Sequence, residues 1–293
     1  MKSGSFYRKS DKFFTNVKIV TDSSCTMEKS LRDELNIHMM PLSIMVDGVV
    51  YPDDDHLPGE KFMDMMANAK ALPKTSQPPI GEFVELYDRL GEDGSEVISI
   101  HMTKGLSGTV EAARQASNLS SSKVTVIDSD FTDQGLSFQV IQAAKLAQAG
   151  AGVPEILAEI ERVKQNTKLF IGISTLDNLV KGGRISRTTG LLSNIFNMKV
   201  VMDFENTELI PVAKGRGVKT FNKWFDELKS ELSKIPNVRQ IGISHADGLE
   251  LANGFKEGLQ AIFKDMDIPV LHTNPVIATH TGKNAFAIMY YTD

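Results

Sequence analysis

Cysteine is nearly absent: Cys25 is the only one among 293 residues. A lone thiol forms neither an internal disulfide nor a cysteine metal cage, so the sequence reads as a protein of a reducing cytoplasm. Basic excess is also missing. Lys and Arg number 32 against 37 Asp and Glu, and a net charge of −5 leaves nothing to neutralise a phosphate backbone, which argues against a nucleic-acid partner. No stretch approaches the ~18 consecutive apolar residues of a membrane helix. Met1 to Thr15 have no apolar run of the secretory kind and are expected to form a loose tail. Lipidation signals are missing as well, since Lys2 follows Met1 and the chain ends Tyr291-Thr292-Asp293. The six histidines have no metal-ligand spacing, so no metal is expected. Nucleotide-binding glycine loops and the GxSxG elbow of hydrolases are absent.

What remains is ordinary globular composition, 41% apolar and 24% charged, in a length that suggests about two domains. Strand and helix patterns alternate along the chain. Val17–Val20, Glu96–His101 and Lys123–Asp128 read as strands that end in polar loops, and helices are expected over Met27–Asn36, Glu60–Ala69, Pro79–Leu90 and Gln134–Ala149. Asp47-Gly48 predicts a hairpin between Pro41–Val46 and Val49–Tyr51. Beyond the Gly150–Gly152 joint come helices at Glu155–Gln165, Arg187–Phe196 and Phe221–Leu232, and a hairpin of Lys199–Phe204 with Leu209–Ala213. The fold class is α/β, with a mostly parallel sheet flanked by helices in residues 16–152 and a second α/β domain in residues 153–293; residues 1–15 form the tail.

In such folds ligands bind at loops leaving the carboxyl ends of strands. Thr103–Thr109 is one: Gly105 and Gly108 permit close approach, while Ser107, Thr109 and a helix start supply donors for a carboxylate or phosphate. Simple helix capping fits the same residues. Thr75-Ser76-Gln77-Pro78-Pro79 offers a second hydroxyl loop, and Ala278–Lys283 a third loop that carries His280. Lys181-Gly182-Gly183-Arg184 sets a cation on a tight turn, suited to an anion or to a structural acid pair, and Arg216 between Gly215 and Gly217 poses the same choice. Cys25 reads as a core thiol rather than a nucleophile. Asp53-Asp54-Asp55-His56 reads as a solvated loop rather than a cation site. Met39, Met40, Met45, Met63, Met65 and Met66 suit either an adaptable apolar pocket or ordinary core filling.

Six ordered motifs together resemble the DegV family of bacterial fatty-acid-binding proteins: Val20-Thr21-Asp22-Ser23-Ser24, Pro41-Leu42 with Asp47-Gly48, Thr75-Ser76-Gln77-Pro78, Leu106-Ser107-Gly108-Thr109, Ile127-Asp128-Ser129 and Gly182-Gly183-Arg184-Ile185-Ser186. The resemblance spans Val17 to Tyr290. It implies a two-domain α/β fold holding a long-chain fatty acid such as palmitate or oleate, with no other cofactor. It implies that Thr75, Ser107 and His280 hold the carboxylate, and that Arg184 and Arg216 stand by the head group or its phosphate. It further implies a partner, a separate fatty acid kinase that makes the acyl phosphate, so this chain would be a carrier with no catalytic residues of its own. Two features depart from the family pattern: Val200 follows Lys199 where a proline is usual, and the last loop reads His280-Thr281-Gly282-Lys283-Asn284, which brings a cation near the expected head group. Two other classes stay open on the residues: a stand-alone phosphoryl-transfer or hydrolase enzyme using Asp22, Asp128 and His280, and a lipid-sensing regulatory module.

Overall fold

The computed structural model describes residues 16–185 and 198–293. The expected tail, the expected Arg187–Phe196 helix and Ser186 lie outside the described residues. In chain order the elements are β1 (Val17–Asp22), α1 (Lys29–Glu34), β2 (His38–Met40), β3 (Ser43–Val46), β4 (Val49–Pro52), α2 (Gly59–Asn68), β5 (Lys74–Ser76) and α3 (Ile80–Gly91). Then come β6 (Glu96–His101), α4 (Thr109–Leu119), β7 (Val124–Asp128), α5 (Asp133–Gln148), α6 (Val153–Gln165), β8 (Thr167–Ile173) and α7 (Asp177–Lys181). The remainder is β9 (Lys199–Glu205), β10 (Glu208–Gly215), α8 (Lys219–Leu232), β11 (Val238–Ala246), α9 (Leu249–Gln260), β12 (Val270–His272), α10 (Pro275–Thr281) and β13 (Ala285–Thr292).

The first sheet is parallel throughout, in the order β2-β1-β6-β7. Its two central strands, β1 and β6, are largely buried on both faces, as parallel strands covered by helices are. Along β6 the side chains alternate: Val97 faces Phe83, Tyr87 and Ala112 of α3 and α4, while Ile98 and Ile100 face Leu136 and Val140 of α5. Helix α6, which the sequence places at the start of the second half, contributes Ile156 and Ile160 to this same core.

The second sheet runs β10-β9-β8-β13-β11-β12, and only β11 with β12 is parallel. Alternation of strands and helices locates these strands without giving their direction; β13 returns between β8 and β11 and sets the antiparallel pattern. One face carries α8 and α9 through Phe221, Trp224, Phe225 and Phe255 on Phe286 and Ile288. The other face, with Leu169, Phe204, Met289 and Tyr291, packs on Phe131 and Phe138 at α5. Helix α5 therefore lies between the two sheets, and its largely buried surface accounts for its weak polar–apolar division.

A small antiparallel sheet, β4-β3-β5, sits beside them. The Asp47-Gly48 turn has positive φ at both residues (49° and 86°), as its hairpin requires. Ile44, Phe62 and Met63 under this sheet meet Leu176, Leu179 and Ala278, which draws β5 towards α10.

Candidate functional site

Three expectations about the loops need correction. Lys74–Ser76 is a short strand, because Thr75 pairs with Ile44 at the edge of β3. Ala278–Lys283 is largely the end of helix α10, which Asn274 and Pro275 start; an asparagine followed by proline is a helix-start signal, and the sequence carried it. The helix expected over Met27–Asn36 begins instead at Lys29 and ends at Glu34.

Side chains from four separate segments line one narrow slit between the sheets. Thr75 from β5, Ser107 from the β6–α4 loop, Arg184 from the turn after α7 and His280 from α10 all line it. Its walls are otherwise mainly apolar, including Leu42, Met102, Leu169, Ile171, Phe204 and Ile277. Thr75 Oγ1 lies 2.9 Å from His280 Nε2, while His280 Nδ1 is buried with no hydrogen-bond partner among the described residues. Burial, and then the charge of Arg184, push the His280 ring down to a pKa of about 4, so it is neutral at physiological pH.

Two glycines shape this corner. Gly183 takes φ +75°, and a Cβ on Gly182 would stand 2.4 Å from His280 Nδ1 and 2.8 Å from the Asn178 carbonyl oxygen. Only a glycine lets the imidazole lie against that turn. The turn then aims Arg184, whose Nε donates to the Leu106 carbonyl (3.2 Å) and whose Nη1 donates to the Gly182 carbonyl (2.6 Å). Burial alone lowers the affinity of this guanidinium for its proton, and among the described residues it makes no ion pair. A half-buried cation with no acidic partner is an electrostatic vacancy for an anion.

Ser107 does two jobs. Its Oγ accepts from the Thr109 amide (3.3 Å) and lies 2.9 Å from Thr109 Oγ1, so it caps α4 as well as lining the slit.

The other candidate residues fall elsewhere. Arg216 is exposed and does not line the slit. Lys199 lines an open groove with Phe221 and Asp247. Lys283, the cation expected near the head group, stands 3.6 Å from Asp247 instead. Neither Asp22 nor Asp128 lines the slit. Cys25 is buried 3.3 Å from Ser137 Oγ, and burial pushes its thiol up to about 12, so it is inert as a nucleophile. Asp53, expected in a solvated loop, is 3% exposed and accepts from Ser23 Oγ at 2.9 Å and from the Val276 amide at 3.3 Å. Of the clustered methionines, Met63, Met65 and Met66 pack under the small sheet, and the slit takes Met102 in their place. Sequence reasoning gave no role to Thr132 and Thr281, which line the slit and whose hydroxyls have no partner among the described residues.

Among the described residues no group of three or more His, Cys, Asp or Glu is placed to hold a metal ion, and no helix is long and apolar enough to cross a membrane.

Residues 16–293 match the sequence model described as "Uncharacterised protein, DegV family". A DegV domain-containing protein of Streptococcus pneumoniae is 54% identical over 275 residues, covering 94% of this chain and 98% of its own. The crystal structure of DegV, a fatty acid binding protein from Bacillus subtilis, superposes with a TM-score of 0.86 at 30% identity, covering 95% of this chain and 100% of its own. A DegV family protein from Thermus thermophilus, also described by its fatty acid binding, gives a TM-score of 0.85 at 25% identity, covering 95% of this chain and 100% of its own. With the parallel first sheet, the mixed second sheet and this slit, these similarities place the chain in the DegV family.

Proposed function

We propose that this chain is a carrier that holds one long-chain fatty acid, such as palmitate or oleate, in the slit and presents its carboxylate to a separate kinase. The observation that carries this reading is the pairing of an apolar slit with Arg184, which makes no ion pair among the described residues, beside Thr75, Ser107 and His280. Fatty acid binding by the Bacillus and Thermus relatives supports it.

The chemistry is direct. Burying a hydrocarbon chain stabilises the complex by about 0.8 kcal/mol per CH₂, so a sixteen-carbon acid gains on the order of 11 kcal/mol before association costs. The carboxylate then needs donors. With a proton on Nε2, neutral His280 donates to Thr75 Oγ1, and the Thr75 hydroxyl is left to donate to the carboxylate. Ser107 adds a second hydroxyl, and Arg184 supplies the countercharge. Arg184 would also stabilise charge that develops as the carboxylate is phosphorylated. Arg216, on the surface, is available to a bound partner rather than to the buried acid.

Denaturing extraction of the purified protein, followed by mass spectrometry of the organic phase, tests the reading. About one long-chain fatty acid per chain is the expected result. No fatty acid, with no uptake of added palmitate or oleate, would overturn it. The carrier role has its own test: acyl phosphate should form only when this loaded chain, a fatty acid kinase and ATP are combined. Acyl phosphate from this chain and ATP alone would point to an enzyme, and none from the full mixture to a lipid sensor.

A further inference from the structure

The slit does not end in an apolar wall. It shares Ile171, Ile277 and Thr281 with a small recess, roomy enough for about one water-sized atom, that runs on towards β11. Ile277 and Thr281 stand one turn apart on α10, so one face of that helix passes from slit to recess.

The recess has apolar walls (Ile171, Ile277, Phe286 and alanines) interrupted by polar side chains, and most of these polar groups are already spent. Ser244 Oγ donates to Asp133 Oδ1 at 2.6 Å, and Thr273 Oγ1 donates to Asp133 Oδ2 at 2.8 Å. Two groups are not spent. Thr281 Oγ1 and His245 Nδ1 are buried, on residues only 5% and 7% exposed, and neither has a partner among the described residues. Thr132 Oγ1, one residue before Asp133, is a third such atom and faces the slit side. A buried polar atom left unpaired costs about 1–3 kcal/mol, so a water or a ligand group that satisfies these atoms is stabilised at the junction.

We propose that this recess is a subsite for an oxygen carried on the hydrocarbon chain, so that monohydroxylated long-chain acids are ligands, read by Thr281 and His245. The inference rests on the fatty-acid reading above and names a substrate class for the same cavity. A ligand hydroxyl matches both groups at once, because it donates to a bare imidazole nitrogen and accepts from the threonine hydroxyl. The imidazole is neutral here: burial, then the neighbouring His272, push its pKa down to about 4. A plain alkyl chain reaching the recess would leave both groups unpaired.

The test is calorimetric titration of the delipidated full chain with stearic acid and with monohydroxystearic acids whose hydroxyl is stepped from mid-chain to the methyl end. For at least one position, Thr281→Val should worsen the Kd of the hydroxy acid relative to stearic acid by about tenfold. Thr281→Ser should keep the wild-type ratio. A crystal structure of the wild-type complex with the best hydroxy acid should place its oxygen within hydrogen-bond distance of Thr281 Oγ1 and His245 Nδ1, which settles the matter even where a variant folds poorly. A ratio that is the same in wild type and Thr281→Val at every position, or a complex with only an ordered water in the recess, overturns the proposal and leaves the fatty-acid reading intact. Failure of stearic acid and all hydroxy acids to bind overturns both.

Discussion

His101 and His280 each touch a hydroxyl, and they differ in what the second ring nitrogen does. His101 Nδ1 lies 2.9 Å from Asp22 Oδ2 and Nε2 lies 2.6 Å from Ser99 Oγ, which in turn is 2.8 Å from the Tyr87 hydroxyl. Asp22, Ser99 and His101 are each 0% exposed. The residue types are those of a hydrolytic triad, yet Ser99 is shared with Tyr87 and none of the three lines the slit. At α10, His280 meets Thr75 with one nitrogen and leaves the other unpaired among the described residues. A closed network holds the fold; an open one is prepared for a visitor.

The sharpest way to break the comparison is His101→Ala. Burial pushes the Asp22 carboxyl upward, but His101, Ser24 and the Met102 amide together hold it below its ordinary value. Without His101 a buried charge loses its partner, and urea unfolding should show a loss of about 3–5 kcal/mol. The next effect falls on ligand rather than fold. Thr75→Val combined with Ser107→Ala should weaken fatty acid binding by about ten- to a hundredfold, read by displacement of a fluorescent fatty acid. Unchanged affinity would remove both hydroxyls from the site.

Acidity separates two further groups. Between pH 6.5 and about 4 an unfolded His280 takes up a proton that the folded ring refuses, so stability falls on acidification through that window. Asp53 acts in the opposite sense. Burial raises its pKa from 3.8 to about 7, so the folded protein holds an extra proton and stability is lost as pH rises through that range. His280→Gln should remove the first slope and Asp53→Asn the second, each by up to about 1.4 kcal/mol per pH unit in urea midpoints converted to free energy. The smallest effect belongs to Arg216→Ala, which should leave the fatty acid Kd within about twofold. A larger change would bring Arg216 into the head-group site.

The sequence made the first sheet legible because Glu96–His101 and its neighbours are continuous buried strands punctuated by polar loops. It also located the β9–β10 hairpin around Glu205-Asn206. Strand direction in the second sheet was not legible, since β13 finds its partner β8 across more than a hundred residues of chain. Three-residue strands such as β5 carry too few positions to show a period. At the site, local motifs marked Thr75, Ser107, Arg184 and His280 as separate candidates, but their meeting depends on α10 packing near α7 and the small sheet. Asp53 looked solvated because three acids in a row read as surface, and only the fold shows the Val276 amide waiting for it. Thr132 and Thr281 have no local signature, because an unpaired hydroxyl is a property of its neighbours.

Helix α5 has one more consequence. Leu136 and Val140 pack on Ile98 and Ile100 of the first sheet, while Phe138 stacks 5.3 Å from Tyr291 and Gln134 Nε2 donates to the Ile243 carbonyl at 2.8 Å in the second, so the helix is bolted to both large sheets. Prising those sheets apart would strip apolar area from either flank and orphan buried amides. Among the described residues, lifting β5 gives up a three-residue ladder with β3, its packing on α10 and the contact between Thr75 and His280. On the carrier reading proposed above, entry of a water-insoluble acid costs least at the smallest sheet, with the large frame left standing.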